Sequence, residues 1–217
     1  MKPFQIIEVT AFIDWRAQMY NCGMSEEPNA LLAAIRTLTL TSRVLSRTLV
    51  AQNQAARYRV SLRLYHGWTK GYSWTINRRA IHDAVTEVDF STLSKSSNVV
   101  INPIVAYGDL LISALPLRIT QPRQIHLPGT LRDNDSAGRV REKMVDTALA
   151  ADLLSLARSD PEDWSIVLGE DDDLIPPIFV AEVWKKQSDG KVFLLRNREE
   201  KHSKVNLDGL LIKGVWK

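Results

Sequence analysis

Three groups of carboxylates stand where they could do chemistry. Asp14 closes the apolar run Gln5–Asp14 (QIIEVTAFID), and Glu170, Asp171, Asp172 and Asp173 follow WSIVL at residues 164–168 after the single residue Gly169. Asp146 falls in the first turn of a helix expected from Glu142 to Arg158. Carboxylates gathered in one place repel, and a divalent cation among them turns the repulsion into attraction. All-oxygen ligation favours Mg²⁺ or Mn²⁺ over Zn²⁺. Such ions orient a phosphodiester, stabilise charge on its oxygens and lower the pKa of an attacking water. Asp14, Asp146, Asp171 and Asp173 are therefore the candidate catalytic and metal-binding residues. The plainer alternative makes the acidic run a solvated loop and Asp146 a complement to a helix start. The run's position between a buried strand and the apolar stretch LIPPIFVAEVW favours the metal.

Strand ends must hold those carboxylates in place. Gln5–Asp14 reads as a buried strand, Arg57–His66 as a half-covered one with alternating apolar residues, and 164–168 as a short buried one. Asn98–Tyr107 and Val192–Leu195 are further strand candidates. Helical spacing predicts helices over Pro28–Gln54, Thr75–Val88, Glu142–Arg158 and Leu174–Lys186. Leu117–Arg139, with its prolines and glycines, reads as loop or irregular hairpin, and Val205–Trp216 has no assignable pattern. Strands alternating with helices imply an α/β fold with a mainly parallel sheet and helices on both faces. In such sheets ligands collect beyond the carboxyl ends of the strands, where Asp14 and the 170–173 run lie. No linker divides the chain, so 1–217 reads as one domain, with 66–140 an embellishment or insertion.

The segments KMVDTALAADLLSLA and WSIVLGEDDDLIPPI resemble the signature of NYN domains, in the PIN-like nuclease superfamily. The matching positions are Lys143, Val145, Asp146, Asp152, Asp171, Asp173, Leu174 and Pro176, with AFID matching the family's opening aspartate at Asp14. The resemblance implies a PIN-like three-layer sandwich and metal-dependent cleavage of RNA. It departs from the family pattern after Asp14, where Trp15, Arg16, Ala17 and Gln18 replace a glycine and a following asparagine. Gln18 is the candidate substitute for that amide. Glu170 displaces a glycine before the aspartates, so the register of Asp171, Asp172 and Asp173 is open by one. Asp152, six positions after Asp146, is about 120° away around a helix. It either supports the ligands from behind or lies on the surface. Lys143 is a candidate phosphate contact or a surface lysine.

The stretch Tyr65–Arg79 interleaves aromatics with bases, a pattern that can stack unpaired bases and hold a backbone. Trp68, Lys70, Tyr72, Trp74, Arg78 and Arg79 are its candidates, with core packing the alternative for Trp68 and Trp74. The four histidines show no metal-ligand spacing, and the single cysteine, Cys22, rules out an intrachain disulfide. The composition, 45% hydrophobic and 24% charged, is that of a globular chain. Residues 1–81 carry 11 Lys+Arg against 4 Asp+Glu, while residues 140–183 carry 3 against 11. An acidic site between basic flanks suits a polyanionic substrate. With no signal peptide and no long apolar run, a cytoplasmic protein without membrane contact is expected. RNA is the expected partner, and a homodimer is left open. A fold that binds RNA or protein without cutting is the rival. A haloacid-dehalogenase-type phosphatase is disfavoured because Arg16 occupies the place of its second aspartate.

Overall fold

The computed structural model describes residues 6–112, 125–127, 129–132, 141–197 and 206–216. The two nine-residue runs become β1 (Ile6–Asp14) and β2 (Arg57–Tyr65). They pair in parallel along their full length, from Ile6 beside Arg57 to Asp14 beside Tyr65. Strand side chains alternate between faces. Ile7, Val9, Ala11 and Ile13 enter one core, and Phe12 enters another on the opposite face.

The first core is closed by α1 (Trp15–Asn21), α2 (Ala30–Gln52) and α3 (Ile76–Glu87). Asn29 caps α2 by accepting from the Leu32 N–H at 3.1 Å. Between β2 and α3 lies a short ribbon, β3 (Thr69–Lys70) and β4 (Ser73–Trp74), and after α3 a single turn, α4 (Phe90–Leu93). The expected strand Asn98–Tyr107 is two pieces, β5 (Val99–Ile101) and β6 (Ala106–Tyr107), which pair with successive parts of β2. Pro103, which lacks an N–H to give a ladder, stands in the break. Two further ribbons join β7 (Leu110–Leu111) to β8 (Ile125–His126) and β9 (Leu131–Arg132) to β10 (Arg141–Glu142).

The second core is closed by α5 (Val145–Ser159) and α6 (Ile175–Lys185), with β11 (Trp164–Leu168) between them. The helix expected from Glu142 starts only at Val145. Glu142 is still in β10, and Met144 takes a φ of +64°, unusual for a residue other than glycine. The helix expected from Leu174 is a 3-10 turn, Asp172–Leu174, leading into α6, whose first turn accommodates Pro176 and Pro177. β12 (Val192–Arg196) and β13 (Leu211–Lys213) complete the sheet, the latter inside the stretch without assignable pattern.

The sheet order is β13–β12–β11–β1–β2–β5, with every pairing parallel. This is the α/β three-layer arrangement expected, and every residue of β11 and β12 is buried. The chain winds from β1 through β2 to β5 on one side, then returns to place β11, β12 and β13 on the other. Strand order therefore reverses at β1. Within 66–140, α3, β5 and β6 are integral to the layers, so the additions to the frame among the described residues are the β3–β4 ribbon and the stretch after β6. Most of Leu117–Arg139 lies outside the described residues. Among the described residues no helix is long and apolar enough to cross a membrane.

Candidate functional site

Asp14 ends β1 at the point where strand order reverses, the crevice where open α/β sheets receive ligands. It also caps α1, its Oδ1 accepting from the Ala17 N–H at 3.1 Å. β11 ends beside it, and Gly169 carries the chain over the top. A Cβ on Gly169 would lie 2.6 Å from Leu174 Cδ1 and 3.7 Å from Asp14 Cβ, so a side chain here would displace the buried Leu174 methyl. A cavity of about 1230 Å³ opens beyond these strand ends. Asp14, Glu142, Asp146 and Asp171 line it, with Arg16 and Tyr20 from α1.

The carboxylates feel one another. Burial pushes the Asp14 carboxyl up to about 6, against the Ala17 hydrogen bond, and the negative charges of Glu142 and Asp146 add to the rise. Asp146 is raised by burial and by Asp171, Glu142 and Asp173. Burial also opposes ionisation of Glu142, yet its carboxyl lies below the usual range. His66, the Gly67 N–H at 2.6 Å and Arg16 at 3.5 Å outweigh the burial. His66 Nδ1 contacts Glu142 Oε1, while Asn77 Nδ2 stands 2.8 Å from His66 Nε2. Asn77 donating there leaves the ring proton on Nδ1, facing Glu142.

Arg196, at the end of β12 and fully buried, holds the acidic turn. Its Nε donates to Gly169 O at 3.3 Å, Nη1 to Asp172 Oδ1 at 2.9 Å and Nη2 to Asp171 O at 2.5 Å. Asp171 Oδ1 accepts from the Asp173 N–H at 3.0 Å. Asp172 is thus turned to Arg196, while Asp171 and Asp173 are the two whose charge reaches Asp146. Glu170 Oε1 accepts from Asn21 Nδ2 at 2.9 Å and from the Asn197 N–H at 2.8 Å, tying the end of α1 to the end of β12.

Several residues singled out in the sequence stand elsewhere. Asp152 neither supports the ligands nor lies on the surface. It is 1% exposed, accepting from Arg63 Nε at 2.6 Å, Tyr65 Oη at 2.8 Å and the Ile112 N–H at 2.7 Å. Gln18 faces the core, where its Oε1 accepts from Trp216 Nε1 at 3.1 Å, so it is no substitute amide at the site. Trp68 is fully buried, donating to Leu64 O at 2.9 Å and packed on Trp15, His66 and Tyr107. Arg78 is buried too, its guanidinium between the rings of Trp74 and Tyr107 at 4.4 and 3.4 Å. The interleaved pattern thus folds with part of its aromatic and basic residues inward, and cannot be one binding ribbon. Lys70, Tyr72, Trp74 and Arg79 are exposed, Arg79 donating to Trp74 O at 2.9 Å, and none of them lines the acidic cavity. The Lys143 side chain is exposed. Cys22 is half-buried, and burial pushes its thiol up to about 11.

Glu142, His66, Arg16 and Arg196 were not found from sequence. Glu142, His66 and Arg196 reach the site through tertiary contact, and Arg16, two residues after Asp14 on α1, sits in no spacing that marks it. Among the described residues no three His, Cys, Asp or Glu side chains stand close enough together to hold a metal ion between them. The donor chemistry, carboxylate oxygen throughout, nonetheless suits a hard cation such as Mg²⁺. That ion keeps several waters and binds through one or two carboxylates plus substrate phosphate. The chain matches no family model, no characterised protein and no solved structure.

Proposed function

We propose that this chain is a metal-dependent nuclease, acting on RNA, of the NYN type that its sequence resembles. The observation that carries the reading is that Asp14, Asp146 and Asp171 line one cavity beyond the strand ends, with the Asp14 carboxyl pushed up to about 6. Their mutual repulsion is what a bound cation relieves.

One or two of Asp14, Asp146, Asp171 and Asp173 would hold Mg²⁺ or Mn²⁺ together with waters and substrate phosphate, with Glu142 beside them. The bound ion supplies Lewis acidity toward a phosphoryl oxygen and a water of lowered pKa. Asp14 and Asp146, both raised by burial and by their carboxylate neighbours, would give up their protons as the ion binds, so that metal loading is coupled to proton release. Glu142, held ionised by His66, Gly67 and Arg16, keeps negative charge in the cavity without holding such a proton. Arg16 and Arg141 at the rim orient the phosphodiester.

The test incubates single-stranded RNA, transfer RNA and DNA with protein and Mn²⁺ or EDTA. Cleavage by wild type and its loss in folded Asp14→Asn and Asp146→Asn is the expected result; cleavage retained by both variants would reject the site. The rival, a module that binds without cutting, draws support from the open spacing of the carboxylates. Calorimetric titration separates the two, because such a module binds no Mn²⁺ in the micromolar range.

A further inference from the structure

We infer that the outward face of α1 is the substrate grip, with Tyr20 stacking an unpaired base and Arg16 and Arg141 holding the backbone of a single strand. The inference rests on the nuclease reading for its substrate class and for the role of Arg16 and Arg141, and on Tyr20 for its geometry. A polyanion entering a cavity lined by Asp14, Glu142, Asp146 and Asp171 meets repulsion, so cations must stand at the mouth. Arg16 and Arg141 stand there, both exposed.

Tyr20 lies four residues after Arg16, on the same face of α1, and 75% of its surface is exposed. Along the helix axis it is about 9 Å from Asp14. The helix end is fixed, because Asn21 donates to Glu170 at 2.9 Å. An aromatic ring on a tethered helix, open to solvent in the wall of an acidic cavity, is a stacking platform. A base within a duplex has its faces already covered, so this platform selects unpaired strands.

The experiment measures binding of a labelled single-stranded RNA, the matching DNA, and the same RNA annealed as a duplex, in EDTA so that nothing is cut. Tyr20→Ala should weaken single-strand binding about 5- to 150-fold, leave duplex binding unchanged and keep the wild-type melting temperature. Tyr20→Trp should restore the affinity. Arg16→Ala should flatten the salt dependence by about 0.7, one phosphate contact on a single strand. Equal single-strand affinity in Tyr20→Ala and wild type would overturn the inference. Wild type that binds single strands through Tyr20 yet cuts none with Mn²⁺ would overturn the nuclease reading and leave the grip standing. Wild type that binds no nucleic acid in EDTA would overturn the grip, while the nuclease reading is decided by cleavage with Mn²⁺.

Discussion

Arg196 and Asp172 form an ion pair in which the cation is fully buried and the anion is 62% exposed. The asymmetry follows from what else the guanidinium does: it also donates to the carbonyls of Gly169 and Asp171, so it belongs to the turn more than to one aspartate.

Arg196→Met should therefore cost about 1–3 kcal/mol, since two carbonyls lose their donor. It should also loosen the turn enough to weaken Mn²⁺ binding tenfold or more. Asp172→Ala, losing a half-solvated partner, should cost under about 1 kcal/mol. Urea unfolding and Mn²⁺ calorimetry on both variants check this; equal effects would contradict the positioning role.

Asp14 keeps its proton to about pH 6 when folded but has an ordinary value of 3.8 when unfolded. Between those values the folded state binds more protons, so stability falls as pH rises. The size is about 3 kcal/mol at most. Asn is as good a helix cap as Asp. Asp14→Asn should thus melt higher than wild type in EDTA at pH 7.5 and lose its advantage below pH 4. Mn²⁺ should raise the melting temperature of wild type alone.

Burial sets most of the rise at Asp14, and the charge of Glu142 adds to it. Glu142→Gln should lower Asp14 in part, moving the acid limb of Mn²⁺ binding somewhat below that of wild type. The removed charge should also lower affinity at pH 7.5. A titration series across pH reads both effects, and an unmoved limb would separate Glu142 from the site.

Asp152 is buried against Arg63. Removing one partner of a buried pair strands the other charge, so Asp152→Ala should cost about 3–5 kcal/mol. Chemical unfolding measures this. A near-neutral result would mean that Arg63 finds water.

Trp68→Ala should cost about 3–5 kcal/mol, as a large buried ring does. Trp74→Ala removes a half-exposed ring over Arg78 and should cost about 1–2 kcal/mol. RNA affinity should stay within about twofold for Trp74→Ala. A selective binding defect there would return the β3–β4 ribbon to the substrate surface.

The frame was largely legible because its periods are strong. Alternation marked β2, apolar runs marked β1 and β11, and helical spacing marked α2, α3 and α5 to within a few residues. Asp14 and the acidic turn were legible for the same reason, since a strand end places its last residue. Short pieces escaped. β13 has three residues, and β5 and β6 are split by a proline whose effect on pairing no periodicity reports. Trp68 and Arg78 were ambiguous because a ribbon that stacks bases and a chain turning into the core share the same alternation of rings and bases. Arg196 lies on β12 like its apolar neighbours, and only the fold brings its guanidinium under a turn far earlier in the chain.

The reversal of strand order at β1 also sets a timetable. β1 and Asp14 leave the ribosome well before β1's neighbour β11 and the aspartates after it, with every element from α1 to α5 made in between. Pairing across so long a separation in sequence forms late. A nascent chain therefore carries half of the acidic crevice and no way to complete it. The crevice is completed only once synthesis has passed β12, whose Arg196 fixes the acidic turn.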